Sequence, residues 1–114
     1  MDQSSALAVS IAVEGAIAAL LLARLGRAKV LRGIATAAMA TLLTHPVAWW
    51  GIKFLEHLTG YWIAVLSVEV LVCLAEAIAY RLLVPLAWPA ALAVSVAANA
   101  ASTLAGLLYY ATFA

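Results

Sequence analysis

Charged residues are scarce in this chain of 114 residues, and their scarcity argues against a soluble fold. Asp, Glu, Lys and Arg make up 10% of the sequence against 68% hydrophobic residues, and the mean hydropathy is +1.14. Residues 33–52 and 82–114 contain no Asp, Glu, Lys or Arg. A soluble bundle this small would need a polar outer face, which these segments cannot supply. We therefore expect the lipid bilayer to surround the protein.

Cysteine pairs and an extended basic face are also missing. The single cysteine, Cys73, cannot form an intrachain disulfide, and its position in an apolar run favours a packing role. The net charge is only +1, and four of the six basic residues fall within residues 24–32. Binding through phosphates requires a broader basic surface, so we do not expect a nucleic-acid partner.

Four long apolar segments remain, and they predict an all-α integral membrane bundle. We place transmembrane spans at residues 6–23, 33–52, 61–80 and 88–113, so that residues 1–114 form a single domain. A span needs about 20 apolar residues. Backbone amides and carbonyls have no water to bond in lipid, so helices are the default spanning form for runs of this length.

The distribution of basic residues predicts the direction of the spans. The second connection contains one basic residue, Lys53. The other basic residues lie in the first and third connections: Arg24, Arg27, Lys29, Arg32 and Arg81. Cytoplasmic loops of membrane proteins carry an excess of Lys and Arg. The sequence therefore predicts both termini outside (N-out/C-out), and we expect the bacterial inner (cytoplasmic) membrane as the location.

One strongly polar residue lies deep in each predicted span: Glu14, His45, Glu69 and Asn99. At about 1.5 Å of rise per residue, each lies roughly 12 to 14 Å below the outer surface. A central charge costs about 2.5–3.5 kcal/mol in such a position, and intramembrane ionisable groups commonly mark sites or pathways. These residues are therefore predicted to meet in one layer.

The leading functional hypothesis is a protein that binds or transports a proton or a cation through this layer. Glu14, His45 and Glu69 form the predicted site, because two carboxylates and an imidazole attract protons and cations. Asn99 is predicted to orient the site, and Glu76 with Tyr80 to continue an inward path. The same three ionisable residues would suit a metal ion such as Zn or Mn, although no metal motif with local ligand spacing is present.

Structural explanations exist for some of these residues. Interhelical packing accounts for Asn99, which shares a helical face with Ser95 and Ser102. Glu76 lies near the predicted cytoplasmic side, so it could instead pair with a basic residue there: Arg24, Arg32 or Arg81.

A second hypothesis, from another class, is an accessory subunit of a larger membrane complex of respiratory or photosynthetic type. The polar layer would then hold helices together or contact a quinone, a pigment or a lipid headgroup. A catalytic role is less favoured, because no pair of nucleophile and base can be identified. Four helices enclose little space, so we also expect a transport path to require a homo-oligomer.

The length, the four helices and the glutamate in the middle of the first span resemble the small multidrug resistance transporters. That resemblance would imply exchange of protons for organic cations at Glu14. The additional ionisable residues His45, Glu69 and Glu76 depart from that family, and its proline, tyrosine and glycine pattern is absent from the second and third spans. We do not carry over its mechanism.

Overall fold

A computed structural model describes residues 3–113 of the chain as four α-helices. The helices are α1 (Gln3–Leu22), α2 (Arg27–Thr59), α3 (Tyr61–Leu83) and α4 (Trp88–Phe113), and a 3₁₀ turn at Ala23–Leu25 follows α1. All four are long and apolar enough to cross a membrane. The all-α prediction with four helices of spanning length is therefore confirmed.

Helix α2 is longer than the predicted second span at both ends. It begins at Arg27, within the predicted first connection, and ends at Thr59, so the predicted loop after residue 52 is wrong. Pro46 lies inside α2 without ending it, although it cannot donate an amide hydrogen to the carbonyl of Leu42. Gly60 alone separates α2 from α3, with φ 86° and ψ 163°, a conformation that essentially only glycine adopts.

The helices form a closed ring around a central axis. Consecutive helices are antiparallel neighbours, and α4 closes the ring by packing against α1. Among the described residues, the diagonal pairs α1–α3 and α2–α4 do not pack directly against each other. Large apolar side chains such as Leu20, Val47 and Leu82 are exposed on the outside. The ring thus presents an apolar exterior and leaves its interior to the inward-facing side chains.

One half of the ring is filled by apolar side chains, and we call it the packed half. Its core consists of mutually contacting buried residues: Ala18, Leu22, Ala37, Tyr80, Val84, Leu86, Ala91 and Val94. At this end Lys29 donates to the carbonyls of Val84 and Pro85, at 3.2 and 2.9 Å. Arg81 donates to the carbonyl of Leu86 at 2.8 Å. Two cations therefore hold the α3–α4 connection over the packed half.

Candidate functional site

The other half of the ring, the cavity half, contains a space of about 240 Å³ between the four helices. Along α3 the lining includes Trp62, which is exposed, and Glu76, which is buried. Those residues lie fourteen positions apart, or about 21 Å along the helix. The cavity thus runs from the end of the bundle near Gly60 to the middle of the ring, where the packed half begins.

Two buried carboxyl groups lie at the inner end of this cavity. Glu14 of α1 and Glu76 of α3 are only 3% and 2% exposed. Their carboxyl groups lie close enough to interact directly across the central axis. Because α1 and α3 are diagonal helices, this contact lies in the interior of the ring.

Neutral donors from α2 and α4 hold both carboxyl groups. Thr41 Oγ1 donates to Glu14 Oε2 at 3.1 Å, and Thr44 Oγ1 donates to Glu76 Oε2 at 2.9 Å. Asn99 Nδ2 donates to Glu76 Oε1 at 2.6 Å. All four helices therefore contribute a polar group to one connected cluster, which we call the carboxyl cluster: Glu14, Thr41, Thr44, Glu76 and Asn99.

The Asn99 side chain is itself fixed by the α3–α4 interface. Its Nδ2 also donates to the carbonyl of Ser95 at 2.8 Å, and Ser95 Oγ donates to the carbonyl of Cys73 at 2.6 Å. Nearer the Gly60 end, Ser102 Oγ donates to Ser10 Oγ at 2.9 Å, which joins α4 to α1. These bonds orient the amide of Asn99 toward Glu76.

His45 and Glu69 line the same cavity but do not join the carboxyl cluster. Within the described chain neither side chain forms a hydrogen bond, and the Nε2 atom of His45 is fully buried without a partner. The imidazole lies 6.2 Å from the ring of Trp49, between centroids. Glu69 is half-buried and interacts with Glu76 only through its charge. Both residues thus present polar atoms to the cavity.

The predicted layer is therefore placed as follows. The structure brings Glu14, His45, Glu69 and Asn99 to one cavity, and it adds Glu76 as the direct neighbour of Glu14. The alternative in which Glu76 pairs with a cytoplasmic arginine is wrong, because its carboxylate is buried and bonds to Thr44 and Asn99. The binding role of these residues stays a prediction.

Two further predictions, the inward path through Tyr80 and the metal site, find no support among the described residues. Tyr80, assigned to an inward path, is 1% exposed within the apolar core of the packed half, so the path is closed there by packed side chains. Among residues 3–113, no group of three His, Cys, Asp or Glu side chains is placed to hold a metal ion. The described residues therefore give no support to a Zn or Mn site at Glu14, His45 and Glu69.

Thr41 and Thr44 are the two members of the cluster that were not predicted from the sequence. A signal was present, because they lie three positions apart and so share a helical face. Threonine is common in apolar helices, however, and its hydroxyl usually bonds within its own helix. The hydrogen bond from Thr44 to Glu76 is evident only from the packing of α2 against α3 in the structure.

Comparisons with protein-family models, with curated proteins and with solved structures find no match to this chain.

Proposed function

We propose that the chain is an integral membrane protein that binds a proton or a small cation between Glu14 and Glu76. The observation that carries this proposal is the direct approach of two buried carboxyl groups from opposite helices. They lie at the inner end of a cavity whose described lining includes no lysine or arginine. A membrane location is supported by four helices of sufficient length and apolar character.

The surroundings of the pair favour a positive occupant. Two carboxylates close together in an apolar interior repel each other strongly, because the low dielectric screens their charges poorly. The donors that hold them, Thr41, Thr44 and Asn99, are neutral and orient the oxygens without cancelling their charge. A shared proton or a bound cation supplies the missing positive charge, and the two groups then titrate as one unit.

The distribution of basic residues supports an orientation with both termini outside. Four of the cations lie between the end of α1 and the first turns of α2, and Arg81 lies near the end of α3. These positions share the end of the bundle at which the packed half lies. By the rule that cytoplasmic ends carry more Lys and Arg, the packed half faces the cytoplasm of a bacterial cell. The cavity then faces outward.

The geometry favours binding from one side over a continuous channel. An ion that enters near Trp62 meets Glu69 and His45 before it reaches the carboxyl cluster. Beyond the cluster, Leu22, Tyr80 and Val84 are each 1% exposed or less. Occupants of the site therefore exchange with the outer side, and transport to the other side requires the packed half to open.

The proposal is tested by infrared difference spectroscopy of the purified protein in lipid nanodiscs as the pH is varied. A protonated carboxyl group buried in an apolar site absorbs separately from a solvated one. We expect Glu14→Gln and Glu76→Gln each to abolish the absorption change of the pair. Glu56→Gln is the matched control, because Glu56 is exposed near the end of α2.

The same samples are then titrated with Na⁺ and K⁺ at fixed pH, to separate a proton from a metal cation. A cation that binds between the carboxylates displaces the shared proton and removes its absorption. An unchanged carboxyl spectrum in both variants, together with native helix content by circular dichroism, would overturn the proposal.

A further inference from the structure

A second concave region lies on the side of the bundle, between α3 and α4. It encloses about 740 Å³ and is lined almost entirely by apolar side chains, including Leu66, Val70, Leu74, Val96 and Leu104. We call it the lateral groove. If the helices cross a bilayer, this groove faces the hydrocarbon and not water, so an apolar chain is its natural occupant.

The lateral groove and the axial cavity share part of their walls. Glu69 and Asn99 line both spaces, and so do Trp62 and Thr103. Glu69 is the single ionisable side chain, apart from the thiol of Cys73, that the structure places on the groove. A molecule lying in the groove can therefore reach the polar cavity at Glu69.

The polar atoms at this junction require a hydrogen-bond donor. The carboxylate of Glu69 forms no hydrogen bond with any described residue. The amide hydrogens of Asn99 already bond to Glu76 and to the Ser95 carbonyl, which leaves its Oδ1 as an acceptor. His45 lines the axial cavity only, and its buried Nε2 atom, which donates or accepts according to the tautomer, has no partner among the described residues. Buried polar atoms of this kind are normally satisfied in the functional state.

We infer that the groove and the cavity together bind an amphiphile whose head group donates hydrogen bonds to Glu69 while its apolar chain lies in the lateral groove. This inference rests on the proposed function in one respect, since it requires the membrane location and uses the same cavity. It goes further by assigning the substrate class. An anionic head group is disfavoured, because neither space is lined by a lysine or arginine among the described residues.

Cys73 provides a reporter, since it is the only cysteine in the chain, is half-buried and lines the groove. The rate of its alkylation by a lipid-soluble maleimide is measured in nanodiscs with four probes of equal chain length. Dodecylamine and dodecanol donate hydrogen bonds. Dodecyltrimethylammonium carries charge without a donor, and dodecyl methyl ether has neither. We expect the two donors to protect Cys73 at clearly lower concentrations than the other two, because only the donors can form hydrogen bonds with Glu69.

Protection by both donors supports the inference for a neutral head group as well as a cationic one. Protection by the amine alone supports it for a cationic head group. Glu69→Leu removes the acceptor and is expected to raise the protecting concentration about tenfold or more. Val96→Trp fills the groove while it keeps the carboxylate, and it should abolish protection even if Glu69→Leu fails to fold. Leu20→Trp, on an exposed face of α1, is the matched control.

Equal protection by the trimethylammonium probe or the ether would overturn the inference, as would undiminished protection in Val96→Trp. These results are separable from a failure of the proposed function. Loss of the carboxyl absorption is read in Glu14→Gln and Glu76→Gln, whereas amphiphile binding is read at Cys73 in variants that keep both carboxylates.

Discussion

The threonines in the two halves of the bundle form their hydrogen bonds in different ways. In the packed half, Thr36 donates to the carbonyl of Arg32 in its own helix, at 2.7 Å, and the surrounding core is apolar. In the cavity half, the hydroxyls of Thr41 and Thr44 donate to carboxylates of other helices. The bond of Thr36 forms within one helix, whereas the bonds of Thr41 and Thr44 exist only when the helices of the ring are assembled.

The packed half and the cavity half therefore differ in role: the first stabilises the bundle, and the second contains its buried ionisable groups. The packed half joins the helices through close contact of Ala, Leu and Val side chains and needs no ligand to complete it. The cavity half contains buried acidic groups and an unpartnered imidazole nitrogen, which carry a desolvation cost that apolar side chains do not. We therefore expect substitutions in the packed half to affect folding most, and substitutions in the cavity half to affect binding most.

The largest effect on stability is expected for Leu22→Ala, in the packed half. Leu22 is 1% exposed, and its truncation leaves a cavity among close-packed neighbours. We expect a loss of about 2–4 kcal/mol in the free energy of unfolding, measured by denaturant titration in mixed micelles. Leu20→Ala is the control: Leu20 is 72% exposed on the same helix, and its truncation should change stability by less than about 0.5 kcal/mol. Similar losses in both variants would show that the packed half is not a core.

The next effect is expected at the turn between α2 and α3. Gly60→Ala places a Cβ on a residue at φ 86° and ψ 163°, which costs about 1–3 kcal/mol. Gly106→Ala is the matched control, because Gly106 is helical and no atom lies within 4 Å of the Cβ it would gain. That substitution should be neutral or stabilise by about 0.5–1 kcal/mol. Equal unfolding midpoints for the two variants would contradict the role of Gly60.

Gly60 also explains why the sequence predicted the helices better than the pairing of their side chains. Thr44 and Glu76 each lie sixteen residues from Gly60, on opposite sides of it, and they form a hydrogen bond. The predicted loop at residues 53–60 placed the centre of the turn several residues earlier. In the prediction, that shift placed His45 level with Glu69 and placed Glu76 nearer the predicted cytoplasmic end.

The number of helices, their class and the inward-facing polar residues followed from composition and from the spacing of apolar residues. The polar composition of residues 53–59 is compatible with either a helix or a loop, so hydropathy could not locate the end of α2. The interaction of Glu14 with Glu76 was beyond prediction for a related reason. It depends on the ring order of the helices, which places α1 diagonally across from α3 and which no local pattern encodes.

A smaller effect is expected for the coupling between Asn99 and Glu76. A double-mutant cycle of Asn99→Leu and Glu76→Leu, based on free energies of unfolding, measures the interaction of an amide with a carboxylate at 2.6 Å. We expect about 1 kcal/mol, within the range measured for bonds between membrane helices. The cycle of Ser10→Ala and Ser102→Ala provides the neutral comparison, at 2.9 Å, and should give a smaller coupling. A larger coupling for the serine pair would show that the carboxylate is not the stronger acceptor.

The smallest global effect is expected for Lys29→Met at the basic end. The variant loses two bonds to the carbonyls of Val84 and Pro85, and part of each lost bond is replaced by water, so the cost is about 1 kcal/mol or less. The local effect should be clearer, because amide hydrogen exchange in residues 84–87 should accelerate while the middle of α3 stays protected. Arg27→Met is the control, since Arg27 is exposed at the start of α2. If a bound proton is released through the packed half, Lys29→Met should also speed proton exchange at that end of the bundle. Unchanged exchange would place the barrier in the apolar core around Tyr80 instead.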